Sequence, residues 1–142
     1  MWQKTLLVIF FLSTLLSCSN EEETKLNKYP QKWILVKMTY HMTGTEVSGL
    51  DMPWQEIYLL NENGTFKKQR ESEGAVTEES GLYKRIENNN ETLLEFHYKT
   101  PSEIVGSCTG NQLETLWLKT NNILVSTWLQ CDGPGLEYHR EF

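Results

Sequence analysis

The chain has 142 residues, with 13 basic and 19 acidic side chains and a formal net charge of −6. That balance excludes nucleic acid or an anionic membrane face as principal partner, because both are held by basic patches. The length allows one compact domain and is too short for two once the N-terminal stretch is set aside.

Residues 1–17 read as a cleavable secretory signal: Lys4 supplies the positive start, residues 5–12 (TLLVIFFL) the apolar core, and Ser17 the small residue at the cut. The apolar run is shorter than the about 20 residues that a membrane-spanning helix needs. With Cys18 directly after Ser17, the segment resembles a bacterial lipoprotein signal, which is cut before the cysteine. The cysteine then carries the lipid and becomes the mature N-terminus. An ordinary secretory signal with a cysteine nearby is the plainer alternative. Cleavage leaves 142 − 17 = 125 residues, and loss of Lys4 leaves 12 basic against 19 acidic residues, a net charge of −7.

Residues 18–30 then form a tether. Its acidic start, Ser19-Asn20-Glu21-Glu22-Glu23, resembles the signal that sends lipoproteins of the Bacteroidetes to the outer face of the outer membrane. A solvated acidic spacer is the alternative reading. The expected address is the outer membrane, held by lipid on Cys18, with exposure at the cell surface if the acidic signal is read.

From residue 31 onward no stretch keeps a helical period. Short apolar segments alternate with turn signals, the pattern of an all-β sandwich or barrel. Eight strands are expected, over 32–42, 54–60, 65–71, 79–86, 92–99, 113–119, 123–130 and 136–142. Asn63-Gly64 is a strong hairpin signal, and Asn88-Asn89-Asn90 and Asn121-Asn122 mark two further tight turns. The remaining connections, 43–53, 72–78, 100–112 and 131–135, are mostly longer. In an up-and-down meander they share one end, a looser mouth opposite an end closed by tight turns. Cys108 and Cys131 both fall at that mouth, and in an oxidising envelope they are expected to form a disulfide. Sequential hairpins without a long crossover favour an eight-stranded antiparallel up-and-down barrel over residues 31–142. A sandwich of two four-stranded sheets is the alternative.

The domain resembles the lipocalin-like lipoproteins of the Bacteroidetes, small relatives in the calycin group. The resemblance rests on Trp33 and Leu35 (KWILV), Gly64-Thr65-Phe66, Gly81-Leu82-Tyr83, and Glu137-Tyr138-His139-Arg140. It implies that Trp33, near the start of the first strand, packs beside Arg140, near the end of the last, at the closed end. A guanidinium over an indole contributes about 0.5–2 kcal/mol. Gln31 stands where lipocalins usually have Gly, so the likeness is to a diverged branch, in which transport of a small hydrophobe is not implied.

No catalytic, metal or cofactor motif is present. His41, His97 and His139 sit singly on different strands, and Ser80 lacks the G-x-S-x-G context of a nucleophile elbow. Glu95 and Glu114 read as isolated and solvent-facing. No enzyme activity and no cofactor are therefore expected. The aromatics are the one candidate functional set. Phe66, Tyr83, Phe96, Tyr98, Trp117 and Tyr138 fall on alternate positions that point to one side, and Trp54 beside Pro53 stands at the mouth. They either fill a small barrel or line a pocket for a small apolar or amphipathic ligand. Two functions follow: a lipid-anchored barrel holding such a ligand, or a filled barrel that meets an envelope protein through its mouth loops as an interaction or inhibitor domain. An open, aromatic-lined void would favour the first, a packed interior the second. The address has its own test: Cys18→Ser is expected to abolish fatty-acid labelling and block signal cleavage, and undiminished labelling of the variant would remove the lipoprotein reading.

Overall fold

The computed structural model describes residues 28–142, so Cys18 and residues 18–27 of the tether lie outside the described residues. Nine strands follow in chain order: β1 (Gln31–Thr39), β2 (Glu46–Ser48), β3 (Gln55–Leu60), β4 (Thr65–Ser72), β5 (Ala75–Asn88), β6 (Glu91–Tyr98), β7 (Leu113–Thr120), β8 (Ile123–Ser126) and β9 (Gly135–Glu141). Each strand from β3 to β9 pairs antiparallel with the next, and β9 returns to pair with β1. The sheet thus closes into an eight-stranded barrel, which removes its open edges. β2 is an addition, paired only with the last residues of β1, above the stretch where β1 meets β3.

The strands form where the sequence alternates with period two, which puts successive side chains on opposite faces. Inward positions carry Trp33, Leu35, Tyr58, Leu60, Phe66, Leu94, Phe96, Leu116, Leu124, Leu136 and Tyr138, all buried. At the centre the rings pack edge to face, with Phe66 at 5.0 Å from Phe96 and Tyr58 at 5.3 Å from Tyr138. Gly81 makes room for this stack: a Cβ there would stand 1.9 Å from the His97 carbonyl oxygen and 2.8 Å from the Phe66 ring.

The three Asn-rich turns close one end as the sequence predicts. Asn63 Oδ1 accepts the Thr65 N–H at 3.1 Å, and Gly64 supplies the positive φ (+78°) that the turn needs. Asn89 and Asn90 both adopt left-handed backbone, which Asn tolerates better than most residues. The expected connection over 72–78 is corrected: β4 and β5 run on to a tight turn at Glu73-Gly74, both with positive φ, and most of that segment is strand. The seventh predicted strand also stops early, at Ser126, and Trp128–Cys131 coil into a 3₁₀ turn.

At the other end the two long connections fold over the opening instead of leaving it loose. Residues 99–112 dip inward at buried Ile104, and Cys108 is bonded to Cys131, with Cα atoms 5.5 Å apart. The predicted disulfide is therefore present at the predicted end. Between the cysteines, Trp128 lies against Gly106 and Gly133, where a Cβ on Gly133 would stand 2.4 Å from the indole. In the chain-entropy view, closing a loop of this size stabilises by about 3 kcal/mol.

Candidate functional site

Inward parity carries charge as well as rings. On β4, Lys68 and Arg70 follow Phe66 at every second position. Glu56 precedes Tyr58 and Leu60 on β3, and Glu114 precedes Leu116 on β7. All four point into the barrel just beneath the plugged mouth. Lys68 and Glu114 are fully buried and Glu56 is 1 % exposed.

The cluster is saturated with hydrogen bonds. Lys68 Nζ donates to Ile104 O at 2.7 Å, to Glu56 Oε1 at 2.9 Å and to Glu114 Oε2 at 3.0 Å, which uses its three N–H groups. Glu114 also accepts from the Tyr58 hydroxyl at 2.7 Å and from the Tyr98 hydroxyl. Glu56 accepts from Arg70 at 3.0 Å and from the Tyr138 hydroxyl at 2.9 Å. Two cations face two carboxylates, so the buried charge sums to zero. Burial first, and the neighbouring carboxylates second, hold the phenols of Tyr58, Tyr98 and Tyr138 well above the ordinary tyrosine range.

The sequence-predicted residues sort as follows. Phe66, Phe96, Tyr98 and Tyr138 point inward and are buried as packing of the barrel interior. Trp54 does stand at the mouth, where its ring lies 4.4 Å from the Arg70 guanidinium and covers the ionic cluster. Tyr83 is half-buried near the closed end and donates to Asn61 O at 2.9 Å. Trp117 is a correction. It pairs with Leu93 and Val125 and faces outward, with Lys119 Nζ 4.5 Å over its ring, because inward parity on β7 belongs to Glu114 and Leu116. Glu114 is the second correction, since it lies at the centre of the interior. Glu95 does face outward, paired with Lys84, and all three histidines are exposed.

Trp33 and Arg140 are direct partners in the β1–β9 register and share the closed end, as the resemblance implies. The ring found under the Arg140 guanidinium, however, is Phe142, 5.0 Å away, and its Nη2 donates to Lys28 O at 3.1 Å.

The sequence reading passed over Glu56, Lys68 and Arg70 and set Glu114 outside. The parity that selected Phe66 on β4 selects Lys68 and Arg70 too, so for those two the signal was present in the alternation. Among the described residues no group of His, Cys, Asp or Glu has the arrangement of a metal site. No protein-family model, no curated protein and no solved structure matches the chain. The fold and site define a closed, filled eight-stranded barrel with a buried ionic cluster under a disulfide-pinned plug.

Removing one member of the cluster strands the others. Lys68→Ala is expected to lower unfolding free energy by about 3–5 kcal/mol, as breaking a buried pair does, and urea titration at neutral pH measures it. A loss of under 1 kcal/mol would show that the carboxylates find other partners. The tyrosines give a pH dependence. Above about pH 10 the unfolded chain releases phenolic protons that the folded barrel retains, so the unfolded state binds fewer protons and stability falls as pH rises. Phenolate absorbance of these three rings is expected to appear together with unfolding, not before it.

Proposed function

We propose that this protein is a lipid-anchored envelope protein that acts by contact, as an interaction or inhibitor domain whose partner meets the connection between β1 and β3. One observation carries the reading. The mouth that would admit a ligand is plugged and its interior filled, while two large apolar side chains of that connection stand in water, Met42 at 95 % and Leu50 at 99 % exposure. Apolar groups so exposed gain free energy when a partner covers them, at about 25 cal/mol per Å² removed from water.

Charge narrows the partner. Exposed Asp51, Glu73, Glu103 and Asp132 stand in the mouth-end connections, with exposed Glu71 near the mouth end of β4, against Lys99 and a His41 that lies 3.6 Å from Asp132. A partner surface with an apolar patch ringed by basic residues fits, and opposite charge speeds its approach. The anchor reading fits the same direction. The described chain enters at the closed end, and the ten positions 18–27 reach at most about 35 Å even when extended. Lipid on Cys18 would hold the closed end toward the membrane and leave the mouth outward.

A photo-reactive side chain placed at position 50 in intact cells tests this. One discrete protein adduct is expected, lost when Met42→Glu is added and absent when the probe stands at position 122 of the opposite end. Adducts from position 122 in preference to position 50, or none at 50, would overturn the reading.

A further inference from the structure

At the closed end, away from the mouth and independent of any partner there, the barrel is not filled to its rim. A cavity of about 350 Å³ opens between the starts and ends of the strands, floored by Trp33, Leu60, Leu94 and Leu118. The Trp33 ring is 2 % exposed. Its Nε1–H is buried without a hydrogen-bond partner, the one side-chain polar atom among the described residues of which this is true. An indole nitrogen only donates, and native structures rarely leave such a donor unmet.

The walls of the cavity are cationic. Arg140 stands directly across from Trp33 on the neighbouring strand and lines the same cavity, as does Arg85, whose Nε is held by Glu87 at 2.6 Å. Desolvation lowers the Arg140 pKa from its ordinary value, the response of a cation short of water. Tyr29 and Tyr83 add flat aromatic surface, and among the described residues no carboxylate lines the cavity. Donors and positive charge over an apolar aromatic floor select an acceptor-rich anion with a flat apolar body. At the roughly 30 Å³ that one water occupies in the liquid, the space holds about a dozen non-hydrogen atoms.

We infer that this closed-end cavity is a binding site for a small aromatic carboxylate, whose charge faces Arg140 and Arg85 and whose body rests on Trp33 and the leucines beneath. This places ligand recognition at the end opposite the mouth, where a barrel of this shape ordinarily offers only tight turns.

The test uses the full chain, ¹⁵N-labelled, in neutral maltoside micelles. The Trp33 indole N–H resonance, assigned by its absence in Trp33→Phe, is followed while naphthalene-2-carboxylate is added. The resonance is expected to shift and saturate, whereas the neutral isostere naphthalene-2-carboxamide binds at least tenfold more weakly. Arg140→Gln and, separately, Arg85→Gln are expected to weaken carboxylate binding, Arg140→Gln by about tenfold or more, with the barrel amide spectrum unchanged. Equal affinity for acid and amide, a shift that spares Trp33, or a response to phosphatidylglycerol added to the micelles with none to the naphthoate would each overturn the proposal. The comparison of acid with amide needs no variant, so it decides the matter even if an arginine variant fails to fold.

Discussion

A lysine ammonium with no exposure to water, set between two carboxylates, is the constraint on which the rest of this barrel depends. At an effective dielectric of about 20, each contact near 3 Å contributes about 5–6 kcal/mol of attraction. Taking each ion out of water costs several kcal/mol in return. The two nearly cancel, so the cluster adds little net stability while intact. Its hold on the structure comes from the cost of breaking it, since any rearrangement that separates Lys68 from Glu56 or Glu114 leaves bare charge in the core. Strand register is the rearrangement most strongly forbidden. A one-residue slip of β4 would turn Lys68 out and bring Lys67 and Gln69 in, and neither Glu56 nor Glu114 would keep its partner.

The same lysine governs the mouth. Its third bond goes to the carbonyl of Ile104, in the middle of a connection with no strand of its own. A buried loop carbonyl must find a donor, and this one finds it on the barrel's central cation, with Arg70 Nη2 at 3.4 Å beside it. The disulfide at Cys108 and the Trp128 indole against Gly106 fix the same loop from outside. Plug and interior are thus one unit, which is why the aromatics that look like pocket walls in the sequence are packing.

The number, order and pairing of the barrel strands could be read from the sequence because hairpin turns declare themselves locally: Asn63-Gly64, Asn89-Asn90 and Asn121-Asn122 each need left-handed or tight backbone that few residues accept. The cysteine pair followed from the same topology. Glu73-Gly74 carries an equally local signal, but the polar run around it, with Glu71, Glu78 and Glu79, reads as loop by composition. β5 is long there because its outward side chains are charged, not because it is irregular. The short β2 has no apolar pattern and forms only as an edge on β1. Trp117 and Glu114 were misplaced together, for one reason: assigning a tryptophan inward and a glutamate outward inverts the parity of β7. Hydrophobicity decides such a strand only when the core is apolar, and here the core carries charge. The closed-end cavity had no sequence signal beyond Trp33 and Arg140, since its walls come from separate strands, with Tyr83 and Arg85 on β5 and Leu118 on β7.

The filled core also separates the two ends from each other. Between Trp33 below and Ile104 above lie the Tyr58, Phe66, Phe96 and Tyr138 rings and then the ionic cluster, all without solvent exposure to speak of. Interiors packed to crystal-like density do not let a molecule pass or a small displacement fade along the way. A molecule in the closed-end cavity could not arrive through the barrel from the mouth, and a partner at the mouth would meet a surface set by the disulfide and the buried lysine. Trp33 joins the two: its ring is the lowest layer of the core and also lines the cavity below. A molecule resting on that ring would touch the core at the strand pair, β1 with β9, that closes the barrel.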